Sequence, residues 1–146
     1  MELIGNGGHA KVVRECFLTG PVIAIGDNAT RKRIAQEQPK DWGQAIHRHA
    51  VISPTANLGP GVVVMAGAVI QPGASIGAHV IVNTLASVDH DCVVGDFAHI
   101  APGAHLCGGV EIGEGTLVGV GVAIAPGARI PAWSLVKARG LEIVPL

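Results

Sequence analysis

Tyrosine is absent from the 146 residues, and two Phe and two Trp are the whole aromatic complement. Large aromatic side chains therefore cannot build the core, which must rest on Ala, Val and Ile. Charge is also scarce: ten basic residues face eleven acidic ones, a formal net charge of −1. That balance leaves no electrostatic footprint for nucleic acid or for an anionic membrane surface. Three cysteines, Cys16, Cys92 and Cys107, stand far apart without a CxxC. They argue against both a disulfide framework and a zinc site. No apolar run approaches the roughly 18 residues of a membrane-spanning helix, and the start, MELIGNGGHAK, lacks the basic, then apolar, pattern of a signal peptide. The expectation is a soluble, cytoplasmic protein without membrane or nucleic-acid partners.

What is present is 49% apolar residues punctuated by 21 Gly and nine Pro, the composition of many short strands and turns. Residues 1–49 predict a small α/β subdomain. Glu2 to Ile4 reads as a strand, Gly5-Asn6-Gly7-Gly8-His9 as a glycine turn and Ala10 to Phe17 as a helix. Pro21 to Ile25 follows as a second strand. A further helix is expected from Ala29 to about Gln38, capped by Asp27 or Asn28, with Arg31, Lys32 and Arg33 on a solvated face. A strand, a glycine turn and a helix can receive a phosphate on backbone N–H groups, or can simply be a turn; the residues leave both readings open.

From Ala50 to Arg139 a six-residue period outweighs local propensity. All fifteen third positions are aliphatic, from Ile52 and Leu58 through Ile130 and Val136, and the first positions are small. First and third positions face inward, as strand alternation requires. Pro-Gly recurs at the corners, for example Pro60-Gly61 and Pro102-Gly103, pairing a fixed φ with a residue that tolerates positive φ. Such hexads are the signature of a parallel β-helix. With three hexads to a coil, the array makes five coils about 4.8 Å apart. Ile52, Ile70, Val88, Leu106 and Ile124 then form one ladder. Residues 140–146 leave the repeat as a C-terminal tail that can cover the open end of the last coil.

Four consecutive sixth positions, His79, Leu85, Asp91 and Phe97, are not glycine. Rule-breaking of this kind is expected at a functional site or a subunit contact, or where the corners adopt another turn. The same stretch gathers Asn83, Asp89, His90, Asp91, Asp96 and His99. Histidine, with an unperturbed pKa of about 6.5, suits proton transfer near neutrality. Asp89 and Asp91 both flank His90 and can orient its ring. Contact with Asp91 requires the corner to turn that carboxylate back. His79, His90, His99 and His105 include no pair 18 apart, so they do not stack on one face as a metal site would.

The hexads resemble the left-handed β-helix acyltransferases. Within them, LIGNGGHAKVV, IAIGDN, HAVISPTANLG and the segment from Asn83 to Gly121 are similar to bacterial sugar acetyltransferases of the PglD and NeuD type. The resemblance implies a mainly β fold: a left-handed parallel β-helix over residues 50–139, preceded by a truncated Rossmann-like subdomain over 1–49. It implies transfer of acetyl from acetyl-CoA to an amino or hydroxyl group of a sugar, commonly a UDP-linked 4-amino sugar. A homotrimer with sites between the helices and no metal completes the expectation. By motif, His90 is the general base and Asp91 raises its basicity. His99 bonds the thioester region and Asn83 lines the acceptor pocket, while Gly108, Val120 and Ala138 meet CoA. Gly7, Gly8 and His9 form half of the nucleotide site, because the family's longer stretch before Pro21, with its acidic pair, is here only Leu18-Thr19-Gly20. Two other readings are a non-catalytic scaffold on this fold and a metal-dependent hydratase.

Overall fold

A computed structural model describes residues 2–137 and 142–146. The six-residue period becomes short strands joined by corners, and strands 18 residues apart pair in parallel, as in Val51↔Val69 and Ile52↔Ile70. Three ladders result, which form the faces of a left-handed β-helix. Face I runs from Val51–Ile52 to Ala123–Ile124, and face II from Asn57–Leu58 to Arg129–Ile130. Face III contains Val63–Val64, Ile81–Val82, His99–Ile100, Leu117–Val118 and Ser134–Lys137. First and third positions point inward and form one continuous core from Val62 to Val136. The predicted ladder through Ile52, Ile70, Val88, Leu106 and Ile124 is observed in register.

The corners turn through positive φ. Where glycine is missing the backbone keeps the same turn: His79, Leu85, Asp91, Phe97 and Trp133 have φ between 54° and 59°. For a residue with a Cβ this costs on the order of 1–2 kcal/mol. Two compensations are visible. Each N–H at positions 79, 85, 91 and 97 donates to a carbonyl of the coil below, for example His79 to Pro60 at 2.8 Å. In addition, His79, Leu85, Asp91 and Trp133 each lean over a glycine 18 residues earlier. A Cβ built on Gly61, Gly67, Gly73 or Gly115 would lie within 2.5 Å of that side chain.

The first unit begins with β1 (Leu3–Ile4), α1 (Gly8–Val13) and β2 (Phe17–Leu18), followed by β3 (Val22–Ile23), α2 (Asn28–Glu37) and β4 (Ala45–Ile46). β1 and β3 pair in parallel, as a miniature Rossmann-like element does. Asp27 caps α2, accepting Thr30 N–H at 2.7 Å. Three local expectations change. The first helix stops at Val13, because Phe17 and Leu18 instead pair antiparallel with β4. The parallel ladder starts before Ala50, since β4 pairs with Val63–Val64 at the same offset of 18. Beyond the repeat, Glu142–Pro145 folds back antiparallel on Ser134–Lys137.

The unit packs on the outside of face III, where Ala45, Val63 and Ile81 lie buried against Ala10, Val13 and Val22. Its second attachment is the corner column between faces II and III, Gly61, His79, Phe97, Gly115 and Trp133. Here the expected solvated face of α2 is corrected, for Arg31 is fully buried. It donates to His79 O at 2.8 Å, Phe97 O at 2.7 Å, Ile25 O at 3.0 Å and Asn28 Oδ1 at 2.8 Å. Asn28 Nδ2 donates to Gly115 O at 3.0 Å, and Lys32 pairs with Glu114 while standing 5.2 Å over Trp133. Only Arg33 of the three is exposed, paired with Glu37. The cause is the corner turn, which aims carbonyls outward where strands would consume them. No helix among the described residues is long and apolar enough to cross a membrane.

Removing the Arg31 guanidinium would leave several buried carbonyls without a donor, at about 1–3 kcal/mol each. Arg31→Met is therefore expected to lower the unfolding free energy by at least about 3 kcal/mol in urea titrations. Arg33→Met should change it by less than about 0.5 kcal/mol, and equal effects from the two would contradict the docking role.

Candidate active site

His90 stands at the corner between faces I and II, and three consecutive residues shape it. Asp89 Oδ1 accepts the backbone N–H of the next residue, His90, at 2.8 Å. Asp91 at φ 59° then swings its carboxylate backwards, so that Oδ2 lies 2.9 Å from His90 Nδ1. The turn demanded by the sequence is thus supplied by the left-handed corner. With Nδ1–H donating to Asp91, Nε2 carries the free lone pair. The hydrogen bond donated to Asp91, and then the charge of Asp89, hold the His90 pKa above its ordinary value. The ring lies against Gly108, where an added Cβ would come 2.5 Å from Nε2. Only a missing side chain leaves that nitrogen open, so Gly108 joins the site through sterics.

A second cluster forms on face III and the corner after it. His99 points outward from its strand, and Asn83 Nδ2 lies 2.9 Å from His99 Nε2. The other ring nitrogen, Nδ1, is 3.4 Å from Gly26 O, at the mouth of α2. His9, delivered by the first turn of α1, places its ring 6.2 Å from that of His99. Burial first, then the Arg31 charge and His9, push His99 down to about 4. Burial followed by Arg31 also lowers His9. Both rings are neutral near pH 7.

The expected site residues therefore fall into two groups. His90, Asp91 and Gly108 share the corner column between faces I and II. Asn83 and the exposed Val120 share the column between faces III and I, with His99 and His9 beside them. Ala138 lies outside the described residues. Gly7 and Gly8 are exposed, neither has positive φ, and a Cβ on either would meet nothing. The glycine that the turn requires is Gly5, at φ 127° and against Ala24 O.

Two features were not foreseen from the sequence. Arg31 reaches the second cluster, since its guanidinium also donates to Gly26 O at 3.2 Å. Beside that carbonyl, a cavity of about 240 Å³ opens between Gly26 to Ala29 and Leu117, Trp133 and Leu146. A usable signal existed: the outward second positions of face III read Val63, Ile81, His99, Leu117 and Leu135, apolar apart from His99. Among the described residues no three His, Cys, Asp or Glu side chains gather as metal ligands.

Residues 91–126 match the family described as bacterial transferase hexapeptide (six repeats). Solved structures extend the likeness to nearly the whole chain. The acetyltransferase domain of PglB from Neisseria gonorrhoeae, in complex with acetyl coenzyme A, is 32% identical, with 99% of this chain and 98% of that chain covered and a TM-score of 0.77. PerB from Caulobacter crescentus, in complex with CoA and GDP-perosamine, is 36% identical over 99% of this chain and 88% of that one, with a TM-score of 0.87. A histidine-to-asparagine mutant of perosamine N-acetyltransferase from the same organism, with the same two ligands, is 34% identical with the same coverage, at a TM-score of 0.86.

In an NMR titration His90 is expected to titrate above 6.5, and Asp91→Asn to move it back towards 6.5. An unchanged midpoint would remove Asp91 from its role. His79, pushed down to about 4 mainly by burial, behaves like His99. Because the unfolded chain protonates these histidines near 6.5, stability should rise with pH between about 4 and 6.5. Urea midpoints that stay flat across that window would contradict the neutral, buried assignment.

Proposed function

This chain belongs to the hexapeptide-repeat, left-handed β-helix sugar acetyltransferases, and from that premise we propose that it acetylates the amino group of a nucleotide-linked amino sugar, with His90 as general base. The supporting observation is the exposed His90–Asp91 pair, whose free Nε2 faces out over Gly108. Acetyl-CoA supplies an electrophilic thioester carbonyl. The sugar nitrogen attacks as the free amine and becomes acidic as the C–N bond forms. His90 Nε2 accepts that proton, Asp91 stabilises the imidazolium, and the proton leaves on the CoA sulfur as the C–S bond breaks. No covalent intermediate on the protein is needed.

The second cluster supplies the acceptor side. In this reading Asn83 lines the sugar pocket. His99, which the resemblance assigned to the thioester region, instead backs Asn83, because Asn83 Nδ2 and Gly26 O lie against its two ring nitrogens. His9 with the open backbone at Gly7 and Gly8 faces the nucleotide. The cavity beside Gly26 offers further room for it. The nucleotide expected from the sequence is UDP, whereas PerB was solved with GDP-perosamine, so the proposal is made for a nucleotide-linked amino sugar as a class. Because His90 and Asn83 stand at different corners, a complete site needs a second copy to bring its Asn83 edge to the His90 edge of the first. A homotrimer closes three such sites with one kind of interface.

Acetyl-CoA consumption is to be measured with UDP- and GDP-linked amino sugars. His90→Ala should reduce kcat by about 10²- to 10⁴-fold, with the rate of the wild type rising through the His90 pKa. Mixed assemblies of His90→Ala and Asn83→Ala chains should recover activity that neither has alone. Equal rates for wild type and His90→Ala would sink the general-base reading, and failed complementation would sink the shared site.

A further inference from the structure

We propose that Arg31 is a positioning residue for acetyl transfer: through the Gly26 carbonyl it fixes His99 as the Nδ1–H tautomer, and through His99 it aims the Asn83 amide at the substrate. The inference rests on the placement of Asn83 in the acceptor pocket. Its geometry is a single directed chain of hydrogen bonds, and the direction can be worked out from one end.

Thr84 N–H, which can only donate, lies 2.8 Å from one end of the Asn83 amide, so that end is the carbonyl oxygen. Nδ2 therefore faces His99 Nε2 at 2.9 Å, and because Nδ2 donates, Nε2 must accept. The neutral ring then carries its proton on Nδ1, which points to Gly26 O at 3.4 Å. The opposite tautomer would set N–H against N–H at Asn83 and lone pair against lone pair at Gly26. Gly26 O is in turn held by Arg31 Nη1 at 3.2 Å, and the same nitrogen bonds Ile25 O at 3.0 Å. The remaining Arg31 donors grip the β-helix at His79 O and Phe97 O, so one side chain registers the first unit against the helix at the carbonyl that sets His99.

The consequence concerns which group meets the ligand as a donor. His99 Nε2 is committed as an acceptor, whereas Asn83 Nδ2 carries a second N–H that no acceptor among the described residues takes. Asn83 thus presents the donor, and His99 orients it.

The test uses the full-length protein with ¹⁵N-labelled histidine and two variants. In the wild type, His99 should show one neutral form with the proton on Nδ1. Arg31→Lys keeps the charge but lacks the planar fork. It should give a mixture of tautomers and reduce kcat/KM for the amino sugar on the order of 10²-fold. Asn83→Asp replaces the donor by an acceptor and leaves α2 untouched, so it should transfer the His99 proton to Nε2. A wild-type ring protonated on Nε2 overturns the proposal. So does an Asn83→Asp spectrum unchanged from wild type, or a folded Arg31→Lys protein with wild-type spectrum and kinetics. If Arg31→Lys does not fold, the spectrum is read from Asn28→Ala, which removes the side-chain acceptor of Arg31 Nη2 and should loosen the guanidinium's hold, giving mixed tautomers; a wild-type spectrum there overturns the proposal. The spectra need no acetyl acceptor, so a chain that acetylates no sugar, yet shows the expected tautomers, would defeat the proposed reaction and leave the relay standing.

Discussion

The left-handed corner is the constraint on which the rest depends. A strand of two residues can be followed by another only if the chain turns sharply every six residues, and a positive φ supplies the turn. Glycine makes it freely, so each corner with a side chain has its cost offset by something else. The four consecutive exceptions divide by position. His79 and Phe97 stack with ring centroids 5.2 Å apart and carry the carbonyls that receive Arg31. Asp91 uses the same turn to reach its neighbour His90. Leu85 leans over Gly67 and remains exposed beside Asn83 and Thr84.

Docking of the first unit follows from the same geometry. Ladder hydrogen bonds satisfy the strands, but corner carbonyls such as those of His79 and Phe97 project outward and need donors. A buried guanidinium with five N–H groups meets several at once, and its charge is spread over carbonyl dipoles instead of a carboxylate. Its charge then acts on the surroundings: His9, His79 and His99 are all held neutral in part by Arg31. One side chain thereby joins two packed bodies and reinforces the neutrality that burial imposes on three rings.

The β-helix was legible in the sequence because its signal is strictly periodic: one aliphatic position in six, repeated without a break, leaves a single register. His90 and Asp91 were legible because their relation is local, spanning adjacent residues. Arg31 was not. In Arg31-Lys32-Arg33 nothing distinguishes a buried cation from a solvated one, since its partners on the β-helix lie up to 67 residues away and are backbone carbonyls common to every residue type. The short first helix was missed for a related reason, as Phe17 pairs with a strand beginning at Ala45. The split of the site between two corner columns became visible only once hexads were assigned to faces.

The two halves of the site differ in what holds them together. The Asp89-His90-Asp91 turn needs little beyond its own backbone, the glycine beneath it at position 73 and the glycine beside it at 108. The Asn83–His99 half is tied to a separate packed unit through Gly26 and Arg31. The two are thus held independently: a change in the N-terminal unit that displaces Gly26 or Arg31 disturbs the Asn83–His99 contact and leaves the His90–Asp91 hydrogen bond in place.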